Sequence, residues 1–303
     1  MKTDGHAPVR TARRVLVVRL RSLGDCVLTT PAIHLLKRAR LEVEIGVVVE
    51  PAWRAVFEGN ADISAILAPT IRAVRGFGAD VAIDFHGGNT AARLTGFSGA
   101  AVRAGFGHYK RRLAYNVLIP RAQEILGEER PVHTAEHMAS AMFSLGVERQ
   151  AIPRARLFAA APGERGYAVI HPVAATPEKT WPAAGFVEVA ENLRRHHRLD
   201  PIFIAAAGQD LSAFAGFRCV TGAPLDEVKR LISGASLFVG NDSGPAHIAA
   251  AFGVPPVVIF GPSDPSIWGP WGTPGEVVRA TGAIAAVEAR RVIAAVEHLR
   301  VAA

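Results

Sequence analysis

The chain has 303 residues, half of them hydrophobic and a fifth charged, with 29 glycines and 20 prolines. This composition excludes a disordered chain, a collagen-like repeat and a coiled coil, and a length about twice the commonest domain size of roughly 150 residues favours two domains over one large barrel. Thirty-four Lys and Arg against 27 Asp and Glu leave a formal charge of +7, which suits an anionic partner: a phosphorylated metabolite, nucleic acid or acidic lipid.

In chain order, residues 1–12 read as a mobile tail. Residues 15–18 (Val-Leu-Val-Val) form a short β-branched run, followed by a Gly-containing loop and then Val27, Leu28, Ile33, Leu35 and Leu36 at helical intervals. The pattern reads strand, loop, helix. Further strands are predicted at residues 43–49 and 81–85, with helical segments at 53–57 and 137–145. Residues 148–166 carry Pro153, Pro162 and Gly163 without periodicity, as a crossing between domains does. The alternation then restarts, with strands at 167–171, 202–206, 237–239 and 257–260 and helices at 184–195, 225–233 and 246–252. An apolar stripe of Val292, Ile293, Val296 and Leu299 marks a terminal helix that should pack rather than dangle. Strands alternating with helices predict two successive α/β units built on parallel sheets, bounded at 1–158 and 159–303.

Cys26 and Cys219 are the two cysteines, too few for a disulfide framework or a four-thiolate zinc site, so a reducing compartment is the expectation. No secretory signal or apolar run long enough to span a bilayer is present, which points to the cytoplasm and limits any membrane role to a peripheral one.

Three loops can carry chemistry. Arg19-Leu-Arg-Ser-Leu-Gly-Asp25 follows a strand and opens a helix. Asp25 suits an N-cap, or, since ligands of open α/β sheets lie beyond the carboxyl ends of the strands, a carboxylate that takes a proton from a bound hydroxyl. Gly240-Asn-Asp-Ser-Gly-Pro-Ala-His247 places Asn241, Asp242 or Ser243 at an N-cap and Pro245 at the first helical position. The amides of such a helix start make a phosphate site, with His247 in the first turn. His171-Pro-Val-Ala-Ala-Thr-Pro-Glu-Lys-Thr-Trp-Pro182 offers the Thr176 hydroxyl and the Lys179 charge to the same anion. His133-Thr-Ala-Glu-His137 matches a zinc pattern without a third ligand, so no metal is expected there. The absence of G-x-G-x-x-G after the first strand and of a Walker loop argues against dehydrogenases and nucleoside triphosphatases. Scattered basic residues and sparse aromatics argue against a nucleic-acid surface.

Residues 15–32 and 240–255, continued by Phe260-Gly-Pro-Ser-Asp-Pro265 and Trp268-Gly-Pro270, closely resemble the ADP-heptose:lipopolysaccharide heptosyltransferases of glycosyltransferase family 9. Asp84-Phe-His-Gly-Gly88, Arg103-Ala-Gly-Phe106 and His133-Thr-Ala-Glu-His137 resemble that family's mid-chain landmarks. The resemblance implies a GT-B fold of two Rossmann-like domains facing across a cleft, an N-terminal acceptor-binding domain (1–158) and a C-terminal nucleotide-sugar-binding domain (159–303). It implies inverting, metal-independent transfer of heptose from ADP-heptose to the Kdo/heptose inner core of lipopolysaccharide, at the cytoplasmic face of the inner membrane. Carried over by position, Asp25 matches the general base, Lys179 the donor-phosphate lysine, and Asp242, Ser243, Gly244 and His247 the donor loop, with Thr176 beside them. Arg21 departs from the small hydroxyl residue usual in the first motif, and Gly208-Gln-Asp210 follows the family's donor-strand loop only loosely. Transfer of another nucleotide-activated sugar to a surface glycan, and a noncatalytic nucleotide or phospho-glycan binding module, are the competing expectations.

Overall fold

The computed structural model describes residues 7–299. The chain divides into two compact units, the first ending at Phe158 and the second beginning at Ala159.

In the first unit β1 (Arg14–Val18), β2 (Glu44–Val48), β3 (Ala65–Leu67), β4 (Val81–Asp84), β5 (Val102–Phe106) and β6 (Val117–Ile119) form one parallel sheet in the order β3-β2-β1-β4-β5-β6. The central strand β1 is a run of Val and Leu because both its faces are covered, and all four residues from Val15 to Val18 are fully buried. The helices are α1 (Leu23–Ala39), α2 (Ile71–Phe77), α3 (Gly88–Gly96), α4 (Ala122–Leu126) and α5 (Thr134–Ser144), with α1 packed on α5. Residues 53–57, expected as a helical segment, lie instead in the 3-10 helix Pro51–Val56 and at its C-cap, Phe57.

Residues 7–12 correct the expectation of a mobile tail. Val9 and Ala12 are buried, the Val9 N–H donates to the Leu145 carbonyl at 3.3 Å and the Arg10 guanidinium to the Gly146 carbonyl at 3.0 Å. The apolar side chain of Val9 and the partners at the end of α5 hold this segment, a long-range contact that local composition does not encode. Residues 1–6 of that expected tail lie outside the described residues.

The stretch before the second unit is likewise anchored. The Arg156 N–H donates to the Thr30 hydroxyl at 2.9 Å, and the Arg156 guanidinium meets the His34 and Asp62 pair of the first unit.

The second unit repeats the architecture with β7 (Tyr167–His171), β8 (Asp200–Ala205), β9 (Arg218–Thr221), β10 (Leu237–Asn241), β11 (Pro256–Phe260) and β12 (Glu276–Arg279), all parallel, in the order β12-β11-β10-β7-β8-β9. Its helices are α6 (Ala183–Asn192), α7 (Leu225–Gly234), α8 (Gly244–Phe252), α9 (Pro265–Trp268) and α10 (Ala289–His298). After α6 the chain continues as a π-helical turn, Leu193–His197, and leaves it at Arg198 with φ 56°. Val292 and Val296 of α10 are buried, with Ile293 and Leu299 packed against the same core.

Each sheet follows the doubly wound order in which the chain starts at the centre, builds one edge and returns to build the other. Each unit is Rossmann-like, in agreement with the expected α/β, GT-B-like fold class.

Candidate functional site

A doubly wound sheet binds its ligand where the strand order reverses, because the loops leaving the two central strands run to opposite faces and open a crevice at their carboxyl ends. In the second unit those strands are β7 and β10, paired from Leu237↔Ala168 to Gly240↔His171. Their exits are the loop of residues 172–182 and the start of α8.

Asn241, the last residue of β10, is completely buried and joins the two exits. Its Oδ1 accepts from the Trp181 N–H at 3.0 Å and its Nδ2 donates to the Pro172 carbonyl at 2.9 Å. Trp181, itself 2% exposed, anchors the far end of the loop by donating its indole N–H to the Val287 carbonyl at 2.8 Å. Gly261, at the exit of β11, lets a neighbouring turn press onto this loop. A Cβ there would stand 2.5 Å from the Glu178 carbonyl oxygen.

On this frame Thr176, in extended conformation, leads into the short 3-10 turn Pro177–Lys179. Lys179 Nζ then donates to Asp242 Oδ2 at 2.9 Å. The ammonium keeps two further N–H donors, and its side chain is one-third exposed. Ser243 is the N-cap residue of α8, but its side chain does not cap the helix. Its hydroxyl lies 3.0 Å from His171 Nδ1 instead. Burial holds His171 down to about 4, so the ring is neutral near pH 7. Gly244 opens the helix, Pro245 follows it, and His247 is buried in the first turn. The result is a lysine, a helix start without a side-chain cap and several hydroxyl and carboxylate groups at one switch point, a constellation suited to a diphosphate and the hydroxyls attached to it.

In the first unit the switch point lies between β1 and β4, paired from Val15↔Val81 to Val18↔Asp84. The exit of β1 corrects one expectation: Ser22, not Asp25, is the N-cap of α1. Ser22 takes the extended conformation a cap requires, and Asp25 is the third helical residue, reaching back as the acidic partner of a capping box. Asp25 Oδ2 lies 3.2 Å from the Ser22 hydroxyl and 3.5 Å from its N–H. Its side chain is still about a quarter exposed, and Oδ1 stands 3.8 Å from the guanidinium of Arg19. Arg19 is only 4% exposed, donates to the Met138 sulfur at 3.1 Å, and leaves its Nε without a partner among the described residues.

Beside it, β4 ends in Asp84, fully buried. Its Oδ1 accepts the N–H groups of His86 and Gly87, each at 2.8 Å, and its Oδ2 accepts the Tyr115 hydroxyl at 2.7 Å. Desolvation raises this carboxyl above its ordinary value despite the three donors. Gly105 is what admits Tyr115, since a Cβ there would come within 2.7 Å of the phenol ring.

Phe106 at the end of β5 stacks on His137 with ring centroids 4.0 Å apart, and His108 and Tyr109 complete an aromatic cluster. Burial, with His108 and Arg19 adding to it, lowers His137 to about 4. A pocket of about 710 Å³ opens beside His108 and His137 and is also lined by Arg121 and Arg130. The apparent zinc pattern has another use here. His133 is the N-cap of α5 and accepts from the Ala135 N–H, and Glu136 closes the capping box while forming a two-pronged pair with Arg130. Among the described residues no group of three or more His, Cys, Asp or Glu side chains is placed to hold a metal ion.

The structure thus brings Thr176, Lys179, Asp242, Ser243, Gly244 and His247 to one switch point of the second unit, and sets Asp25 at that of the first. Sequence reasoning assigned no role to His171, Arg19, Asp84, His86 and Tyr115 and gave Asn241 only a cap position. The signal available for Asn241 was its place as the first polar residue after an apolar run. Nothing local marked the partnership of Asp84 with Tyr115.

The family model of glycosyltransferase family 9 (heptosyltransferase) matches residues 68–293. The chain is 33% identical over 120 residues to lipopolysaccharide heptosyltransferase 3 of Escherichia coli, a match covering 35% of this chain and 34% of that protein. It therefore spans about a third of the length of this relative. Against lipopolysaccharide heptosyltransferase 1 of Escherichia coli O18:K1:H7 it is 26% identical over 313 residues, 89% of this chain and 92% of the relative. Among solved structures, the glycosyl transferase family 9 protein from Veillonella parvula DSM 2008 is similar with a TM-score of 0.82 at 21% identity, covering 95% of this chain and 97% of that one. E. coli heptosyltransferase WaaC with ADP follows at 0.81 and 20%, covering 94% and 99%. At such identities the superpositions speak for the fold, and it is the family match, running through most of both units, that assigns the chain: this protein belongs to glycosyltransferase family 9.

Proposed function

We propose that the protein transfers a heptose from ADP-heptose to the Kdo/heptose inner core of lipopolysaccharide, inverting the anomeric centre and using no metal ion. The observation that carries this reading is the pairing of Lys179 with Asp242 beside the start of α8, at the switch point of the second unit. Support for the donor comes from the E. coli heptosyltransferase WaaC structures, which contain ADP and ADP-2-deoxy-2-fluoro heptose.

In the proposed reaction the acceptor hydroxyl attacks the anomeric carbon as the bond to the ADP oxygen breaks. Asp25 takes the hydroxyl proton. It need not be a strong base, because the hydroxyl becomes acidic only as the new C–O bond forms to an oxocarbenium-like carbon. The negative charge that grows on the departing diphosphate meets the two unused N–H donors of Lys179 and the dipole of α8, fixed groups that require no reorganisation during the step. Asp242 holds the lysine in place, and Thr176, Ser243, Gly244 and His247 complete the donor loop. The formal charge of +7 favours work against an anionic membrane surface, as a peripheral protein on the cytoplasmic face of the inner membrane. Among the described residues no helix is long and apolar enough to cross a membrane.

The test is incubation with ADP-heptose and a deacylated Kdo-containing acceptor in the presence of EDTA, following ADP release and the anomeric configuration of the product by NMR. Release of ADP with an inverted product is expected, and Asp25→Asn should slow it by about 10²- to 10⁴-fold, the usual contribution of a positioned base. A requirement for magnesium, or an Asp25→Asn rate near that of the parent, refutes the mechanism. ADP binding without turnover across a panel of sugar donors would identify a noncatalytic module, and turnover with a different donor would replace heptose.

A further inference from the structure

We propose that His86 contacts the acceptor, its Nε2 lone pair accepting a hydrogen bond from a sugar hydroxyl next to the one deprotonated by Asp25. The inference rests on the glycosyl-transfer reading above and deepens it.

The backbone of the loop after β4 is immobilised from below. Asp84 accepts the N–H groups of both His86 and Gly87 while Tyr115 occupies its other oxygen. Gly87, at φ 70°, lies close enough to the Tyr109 ring that a Cβ would come within 3.1 Å of it. The imidazole is therefore presented by a rigid turn at the switch point of the first unit.

Its protonation pattern follows from one contact. His86 Nδ1 lies 3.2 Å from the Arg21 carbonyl oxygen. A carbonyl has no proton to give, so Nδ1 carries the hydrogen and donates it. A neutral imidazole with its proton on Nδ1 has a bare lone pair on Nε2. Burial, Arg19 and Arg21 all push this histidine below its ordinary value, with Asp84 and the Arg21 carbonyl opposing them. The neutral form is the one present near pH 7. Among the described residues Nε2 has no hydrogen-bond partner, and the residue is only partly buried. Arg19 and Arg21, the charged groups that lower its pKa, make no hydrogen bond to Nε2 among the described residues, so this lone pair is open to an O–H donor.

A single peptide unit links His86 to Asp25. The carbonyl of the Arg21–Ser22 peptide accepts from His86 Nδ1, and the N–H of the same peptide points at Asp25 Oδ2 at 3.5 Å. The two acceptors of the first unit's switch point are thus registered to one rigid group. Two acceptors so placed can hold two hydroxyls of one polyol and keep the nucleophilic one in line, which is a contribution from orientation rather than from proton transfer.

The test compares His86→Gln with His86→Asn. Gln places its carbonyl oxygen near the Nε2 position but cannot donate at Nδ1, and Asn does the reverse. With the acceptor varied, kcat/KM should fall about 10- to 100-fold in His86→Asn, as for a polar partner left unmade. It should recover to within about threefold of the parent in His86→Gln, with the Kd for ADP unchanged in both by calorimetry. An unimpaired His86→Asn with a damaged His86→Gln means the ring serves only to tie down the Arg21 carbonyl, and overturns the proposal. So does parental activity in both. In the unsubstituted protein, ¹⁵N-histidine NMR should show the Nδ1–H tautomer and a shift of the His86 Nε2 resonance on adding the deacylated Kdo-containing acceptor. An Nε2–H tautomer, or no response to acceptor, overturns it independently of turnover. Absence of ADP release from the parent with every donor is a failure of the transfer reading, and the NMR arm still decides the role of His86.

Discussion

Replacing Asn241 with alanine isolates the tie between the two loops of the second unit's switch point. The amide is fully buried and makes two hydrogen bonds, accepting from the Trp181 N–H at 3.0 Å and donating to the Pro172 carbonyl at 2.9 Å. Trp181 and Pro172 are buried as well, so truncation strands one main-chain donor and one main-chain acceptor away from water. At about 1–3 kcal/mol for each stranded group the loss is about 2–6 kcal/mol, centred near 4. For a protein of this size each kcal/mol shifts the melting temperature by about 2–4 °C, so the second unit should melt roughly 8–16 °C earlier. Urea unfolding followed by tryptophan fluorescence checks this, because Trp181 sits in the core of the affected unit. Asn241→Asp supplies a control with the same shape. It keeps the acceptor for Trp181, cannot donate to Pro172 while ionised, and regains that donor on protonation. Its deficit should therefore shrink as the pH falls. A loss below about 1 kcal/mol in Asn241→Ala, or a deficit in Asn241→Asp that does not respond to acid, would refute the claim that this amide holds the loops together.

Gly105→Ala should displace Tyr115, whose ring would lie 2.7 Å from the new Cβ, and leave Oδ2 of the buried Asp84 without its hydroxyl donor. A destabilisation of about 1–3 kcal/mol in urea, with the Tyr115→Phe change largely non-additive to it, is the expected outcome of a double-mutant cycle. Lys179→Met removes a charge-assisted donor and leaves Asp242 unpaired, so ADP affinity measured by calorimetry should fall about tenfold or more. An unchanged Kd would remove Lys179 from the donor site. The neutral His171 and His137, both lowered to about 4, give a pH signature. Between the ordinary histidine value near 6.5 and about 4 the unfolded chain binds protons that the folded chain does not, so stability should fall with pH through that window. His171→Gln should flatten the fall in thermal-melt series taken from pH 7 to 4; an unchanged slope would mean the ring protonates without cost.

The chain's own pattern determined the fold class and the inner strands. The cores of β1, β2, β4, β7, β10 and β11 are apolar runs because strands covered on both faces must be apolar, and that requirement is local. The same logic placed Lys179, Asp242 and Ser243 on loops at strand ends. The edge strands escaped it. β3 has three residues and β9 is largely exposed, and a strand at the rim of a sheet needs no sustained apolar signal because its partner's main chain, not its own side chains, defines it. β5 was hidden by Arg103, whose guanidinium donates to the carbonyls of Ala114 and Ala100, and by Gly105, which makes room for the Tyr115 ring. What tertiary structure alone decided is the set of pairings: Lys179 with Asp242, Asn241 with Trp181 and Pro172, Asp84 with Tyr115, His86 with the carbonyl of Arg21. Each joins residues distant in sequence across neighbouring strand exits, and the tautomer of a histidine or the exposed edge of a lysine is set by those neighbours. A linear pattern reports which residues are suited to a site, and the winding order of the sheets decides which of them meet.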